Sequence, residues 1–162
     1  MAQVLLVLTA EDQQVIQKTL ADLLKKSASR CVLLIDHSGR CLAHADSTGK
    51  MDVDALAALL SGAFASMRAI AALVGETEFS VLFHQGENSR IHNILVDEER
   101  FLSVFSGPRT TIGRVRLCVE NAADEIAARF RKIAQRGTKG TAPIHKSFAK
   151  DTGDRLDKIF DS

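Results

Sequence analysis

The 162-residue chain has no tryptophan and no tyrosine; its aromatic side chains are eight phenylalanines. Sites that stack nucleic-acid bases or cage cations lean on Trp and Tyr, so their absence weighs against both uses. Cysteine is scarce and odd in number. Cys31, Cys41 and Cys118 stand far apart with no Cys-x-x-Cys pair, a pattern of reduced, buried thiols rather than a disulfide framework. Charge of one sign is also missing: the formal net charge is +1, so no global field draws the chain to nucleic acid or to acidic substrates. No segment reaches about 18 uninterrupted apolar residues, the length a bilayer span asks for. The apolar run Val4–Leu8 is short and has no basic flank, unlike a signal peptide. These absences predict a soluble, cytoplasmic protein.

Catalytic signatures are missing as well. There is no Walker A loop to cradle a nucleotide and no Gly-x-Ser-x-Gly elbow to present a nucleophile. His37, His44, His84, His92 and His145 match no metal-ligand spacing, and only His84 and His92 could face each other across a hairpin. No catalytic residue, cofactor or metal is therefore expected.

What is present is ordinary globular material, 46% hydrophobic and 25% charged, enough for one domain with a short tail. Val4 to Leu8 reads as a short strand or an extended lead-in. Thr9 with Asp12 three residues on forms a carboxylate version of the capping box, and Ile16, Leu20, Leu23 and Leu24 carry a helical stripe to about Ser27. Two strands follow, Cys31 to Ile35 and Cys41 to Ala45, around the turn-forming Asp36-His-Ser-Gly-Arg40. A long helix is predicted over Val53–Val74, capped by Asp52 and stopped by Gly75. Phe79 to His84, Ile91 to Val96 and Phe101 to Phe105 read as an antiparallel meander. A last long helix starts near Thr110 or Thr111, with Ile112, Val115, Val119, Ala122, Ile126, Phe130 and Ile133 in its stripe. The expected fold is α/β: a sandwich on one five-stranded antiparallel sheet, in the order α-β-β-α-β-β-β-α. The domain spans 1–134, a linker 135–147, and a tail with a short amphipathic helix 148–162.

The central helix carries the functional information. At 100° per residue, Leu56, Leu60, Ala63, Met67, Ile70 and Val74 share one face, expected to meet the sheet. The opposite face holds Ala58, Gly62, Ala65, Ala69 and Ala72, and Arg68 is the only charge between Ala55 and Gly75. A helix apolar all round is covered all round, and small residues admit a second backbone closely. A twin subunit or a partner is expected to cover it. Pairing the meander's edge strand with its own copy would also remove an exposed edge.

Taken in order, several segments resemble the Roadblock (dynein light chain) family. Val32-Leu-Leu-Ile-Asp-His-Ser-Gly39 looks like its first hairpin, Leu56-Ala-Ala-Leu-Leu-Ser-Gly62 its central helix, and Thr111-Ile-Gly-Arg-Val-Arg-Leu117 the lead-in to its last helix. Gly75-Glu-Thr-Glu-Phe79, His84-Gln-Gly86 and the tail Phe148-Ala-Lys-Asp with Leu156-Asp-Lys-Ile-Phe160 narrow the likeness to the family's bacterial gliding-motility branch, which acts on a Ras-like GTPase. The resemblance implies a homodimer with sheets joined edge to edge, central helices packed together, and the GTPase docked across them. It implies a regulatory, GTPase-activating protein of cell polarity or motility, concentrated at a cell pole. Ala58, Gly62, Ala65, Arg68, Ala69 and Ala72 then fall on or beside the face that meets twin or partner, with Phe64 on its flank. Leu156, Ile159 and Phe160 are implied as a second contact with the GTPase.

Arg68 interrupts the small-residue stripe. It could pair with an acid on the partner or weaken docking. Arg68, Arg90, Arg109 and Arg114 are candidates for an arginine finger by residue type only, and the resemblance points instead to repositioning of the GTPase's own residues. Between Arg129 and Lys150 run seven basic residues and no acidic one: Arg129, Arg131, Lys132, Arg136, Lys139, Lys146 and Lys150. A solvated helix end, an acidic patch on a partner, and weak nucleic-acid or lipid binding all remain open there. The main rival to a GTPase regulator is a dimerising adaptor for a polarity or motor complex.

Overall fold

The structure, a computed structural model, describes residues 6–140, with side chains through 137. Helix α1 (Ala10–Lys26) starts where the capping box predicts. The Thr9 hydroxyl accepts from the Asp12 amide at 3.2 Å while the Asp12 carboxylate accepts from the Thr9 amide at 2.9 Å. Leu6 and Leu8 lead into the helix and pack on the core without joining the sheet.

Strands β1 (Cys31–Asp36) and β2 (Cys41–Asp46) form the first hairpin. Its turn is knotted by Asp36, whose carboxylate accepts from the amides of Ser38 and Arg40, each at 3.0 Å. Gly39 sits there at φ +89°, and a Cβ on it would press to 3.3 Å of the Ala58 Cα, so glycine lets the turn touch the central helix. That helix, α2 (Val53–Val74), has Asp52 accepting from the Ala55 amide and ends at Gly75 in the left-handed conformation. β3 (Val81–Gln85), β4 (Arg90–Leu95) and β5 (Arg100–Ser106) make the meander, and α3 (Ile112–Gly140) closes the described chain.

The sheet is antiparallel throughout, in the order β2-β1-β5-β4-β3. Strand alternation divides the apolar residues between two layers. Val32, Leu34, Leu102, Val104 and Ile94 point to the layer closed by α1 and α3, together with Leu20, Val119, Ile126 and Phe130. Cys31, Leu33, Ile35, Phe101 and Phe105 point the other way, beneath α2.

Two arginines brace α3 against α1. Arg129 Nε donates to Asp12 at 2.8 Å and Arg136 pairs with the same carboxylate, tying α3 to the cap of α1. Burial alone would raise the Asp12 carboxyl, but the Thr9 amide and hydroxyl and the Arg136 guanidinium outweigh it and hold it well below the usual carboxylate range. Two of the seven cations in the basic stretch are thus engaged by α1. Arg100, buried on β5, lies 3.9 Å over the Phe130 ring and pairs with Asp97.

α3 runs on past Gln135 to Gly140, into the stretch expected to be a linker, because no proline lies between Ile112 and Pro143 to break its hydrogen bonding. The rest of the expected linker, His145 and the tail positions Leu156, Ile159 and Phe160 lie outside the described residues.

Candidate docking face on the central helix

α2 crosses β1 and β2. Its inward face is Ala57, Leu60, Ser61, Phe64 and Ala71, all buried. Of the residues expected to meet the sheet, only Leu60 does so fully. Leu56, Ala63 and Met67 are half-buried, while Ile70 and Val74 are 44% and 63% exposed. The helix is rotated from the expected phase by two long-range anchors. Phe64 stacks on Phe101 with ring centroids 4.1 Å apart, and Ser61 Oγ donates to the His37 carbonyl at 2.7 Å. Phe64 is therefore a core residue of its own chain, at 2% exposure, not the flanking partner contact expected of it.

The outer face holds the small residues. Ala58, Gly62, Ala65, Ala69 and Ala72 are all exposed. A Cβ placed on Gly62 would meet nothing within 4 Å, so nothing among the described residues requires glycine there. Leu59 and Leu73 stand beside them at 73% and 87% exposure, two large apolar side chains that sequence reasoning passed over. Their signal was available: on the helical wheel they adjoin the small stripe. By length and composition alone α2 could cross a membrane, yet one of its faces is packed on a sheet.

Arg68 does not reach outward alone. Its Nε donates to Glu78 Oε1 at 3.0 Å, and Nη2 donates to the Glu98 carbonyl at 2.8 Å and lies 2.8 Å from His37 Nε2. One side chain thus fastens α2 to the β1–β2 turn, the β4–β5 turn and the segment before β3. The acid it pairs with belongs to its own chain.

The far side of the sheet is less covered. β3 is an edge strand, with Val81 and Phe83 about 40% exposed on the face opposite α2. On the α2 side, Leu82, Ile91 and Leu95 are only half-buried. β3 pairs Phe83 with His92 and His84 with Ile91, which sends His84 and His92 to opposite faces, so they do not face each other. Among the described residues no three His, Cys, Asp or Glu side chains converge on a metal position. Burial pushes the Cys31 thiol up to about 12 and the Cys41 thiol to about 11, which keeps both protonated and poorly nucleophilic. The other candidate arginines stand away from α2: Arg90 donates to the Thr110 carbonyl and Arg114 to the Lys26 carbonyl, both at 2.7 Å.

Residues 15–106 match the Roadblock/LC7 domain family. Among solved structures, MglB of Myxococcus xanthus is 32% identical over 79% of this chain and 96% of its own, with a TM-score of 0.75. The gliding protein MglB of Thermus thermophilus is 28% identical over 81% of this chain and 99% of its own, with a TM-score of 0.74. An MglB with a tetrameric arrangement is 27% identical over 82% of this chain and 99% of its own, at a TM-score of 0.75. No curated protein sequence matches the chain.

Proposed function

We propose that this chain, which belongs to the Roadblock/LC7 domain family, is a homodimeric regulator that stimulates GTP hydrolysis by a small Ras-like GTPase. One observation carries the reading: the outer face of α2 is exposed, nearly uncharged and built of Ala58, Gly62, Ala65, Ala69 and Ala72, with Leu59 and Leu73 along one side of them. Such a surface loses apolar area to water unless another surface covers it. The twin's α2 would cover part of it, the two β3 edges would pair, and the GTPase would dock across the joined helices. The half-buried Leu82, Ile91 and Leu95 would gain cover in the same assembly.

The regulator supplies no reacting group. Arg68 is committed to Glu78, His37 and Glu98, so stimulation comes from binding the hydrolysis-competent GTPase more tightly than its other conformations. Likeness to the gliding-motility members supports a role in cell polarity or motility; the location proposed for that role is the cytoplasm, concentrated at a cell pole. The tail at Leu156, Ile159 and Phe160 would add a second contact with the GTPase.

The test is GTP hydrolysis by the organism's Ras-like GTPase with and without this protein, beside the Ala65→Arg variant. Stimulation that the variant abolishes is the expected result. Tight binding with an unchanged hydrolysis rate would replace the regulator with a dimerising adaptor.

A further inference from the structure

Arginines divide sharply by surroundings. Arg40, Arg68, Arg100, Arg116, Arg129 and Arg136 are each ion-paired with a carboxylate. Arg30, Arg90, Arg109, Arg114 and Arg131 are not, among the described residues; Arg131 stands apart on α3, and the other four gather around the loop of residues 107–111 that joins β5 to α3. Three are nonetheless held in place. Arg30 Nη1 donates to the Asn88 carbonyl at 3.3 Å, Arg90 to that of Thr110, and Arg114 to that of Lys26. Neutral carbonyls fix the guanidiniums without cancelling their charge. Lys25 and Lys26 end α1 at the same end of the sheet, and the first turn of α3 carries no acidic residue. Glu87, on the β3–β4 turn, pairs with none of the four.

The loop is also hollowed. A notch of about 340 Å³ opens there, lined by Ala28, Arg30, Gly107, Pro108, Arg109 and Thr110. Gly107 shapes the seat: a Cβ on it would fall 2.9 Å from Arg30 Nη2, so a side chain there would push the guanidinium off the loop. Two guanidiniums line the notch and two flank it.

We infer that this notch is a docking site for a phosphorylated side chain on a partner protein. A carboxylate would cancel one charge; a phosphate monoester brings about −1.5 to −2 with three acceptor oxygens, which more than one arginine fork can share. Among the described residues no aromatic ring lines the notch, so a nucleobase would find none of them to stack on. Its concavity suits a single recessed group better than the flat face of a bilayer. The outer face of α2 plays no part, so this site stands or falls apart from the proposed GTPase role.

The test uses the full chain and begins with inorganic phosphate, followed through the side-chain Nε–H signals of Arg30 and Arg109. Saturable shifts at both, absent with chloride at equal ionic strength, are expected; no shift, or equal shifts at the remote Arg131, would overturn the proposal. A phosphoserine peptide, the same peptide with Ser or Glu, and phosphatidylglycerol vesicles then separate the sources. The phosphopeptide should bind about tenfold more tightly than either peptide control, and Arg30→Gln with Arg109→Gln should remove that advantage while Arg131→Gln keeps it. A thermal melt within a few degrees of wild type shows that the double variant is folded; if it is not, Arg109→Gln alone, on the exposed loop, serves. Equal binding to the Glu peptide, or vesicles preferred over the phosphopeptide, would refute it.

Discussion

Arg68 on α2 and Glu78 beyond its C-terminus close a 2.9 Å ion pair across the left-handed turn at Gly75. The pair is half-exposed, and the same guanidinium reaches His37 and Glu98, so its role is to hold the helix against two turns. Arg68→Ala is expected to lower stability by no more than about 1 kcal/mol, as exposed pairs do. It should also cost less than about tenfold in stimulated GTP hydrolysis, whereas an arginine finger would cost ~10³–10⁵. Denaturant melts and single-turnover hydrolysis read the two effects separately.

Phe64 and Phe101 share the centre of the α2 layer. Phe64→Ala should destabilise the fold by about 3–5 kcal/mol, the range for truncating a buried Phe. A urea titration checks this; a loss below about 1 kcal/mol would mean that the side chain turns outward as the family likeness implied.

Leu73 is the opposite case, 87% exposed on the outer face. Leu73→Asp should leave the monomer's stability within about 0.5 kcal/mol. It should nevertheless drive a dimer toward monomer in sedimentation velocity at micromolar concentration. An unchanged sedimentation profile would remove Leu73 from the association surface.

His92 is buried on the α3 side of the sheet, and neither ring nitrogen has a hydrogen-bond partner among the described residues. Burial, followed by the charge of Arg116, pushes its pKa below the ordinary value. The unfolded chain therefore takes up a proton near pH 6.5 while the folded chain does not, so this histidine erodes stability as pH falls through about 6.5 and has no such effect above it. His92→Leu should remove that erosion. It should also raise stability at pH 8 by about 1–3 kcal/mol by deleting an unpaired buried group. Thermal melts from pH 8 to 5 on both proteins decide it.

Local chemistry was legible in the sequence. Thr9 with Asp12, Asp52 and Gly75 fix helix ends through groups a few residues apart, and both ends of α2 fall where they were read. The phase of α2 was not. A helix apolar all round has no wet side to orient it, and the deciding contacts of Ser61 with His37 and Phe64 with Phe101 join residues far apart in the chain. The same distance hid His37 and Glu98 as partners of Arg68. The small-residue face was readable because its period is local; the half-covered Leu82 and Ile91 depend on strand order, which periodicity does not encode.

That strand order has a consequence for how the chain is made. β5 occupies the middle of the sheet yet is the last strand synthesised, and Cys31 must wait for Phe105 before its open side is paired. Until the ribosome has passed Ser106, the β1–β2 and β3–β4 hairpins are two separate pieces, each showing a bare strand edge to its surroundings. Pairing across so long a stretch of chain is slow. The nascent protein is most open to aggregation in that interval, and a chain that stops before Arg100 would remain in it.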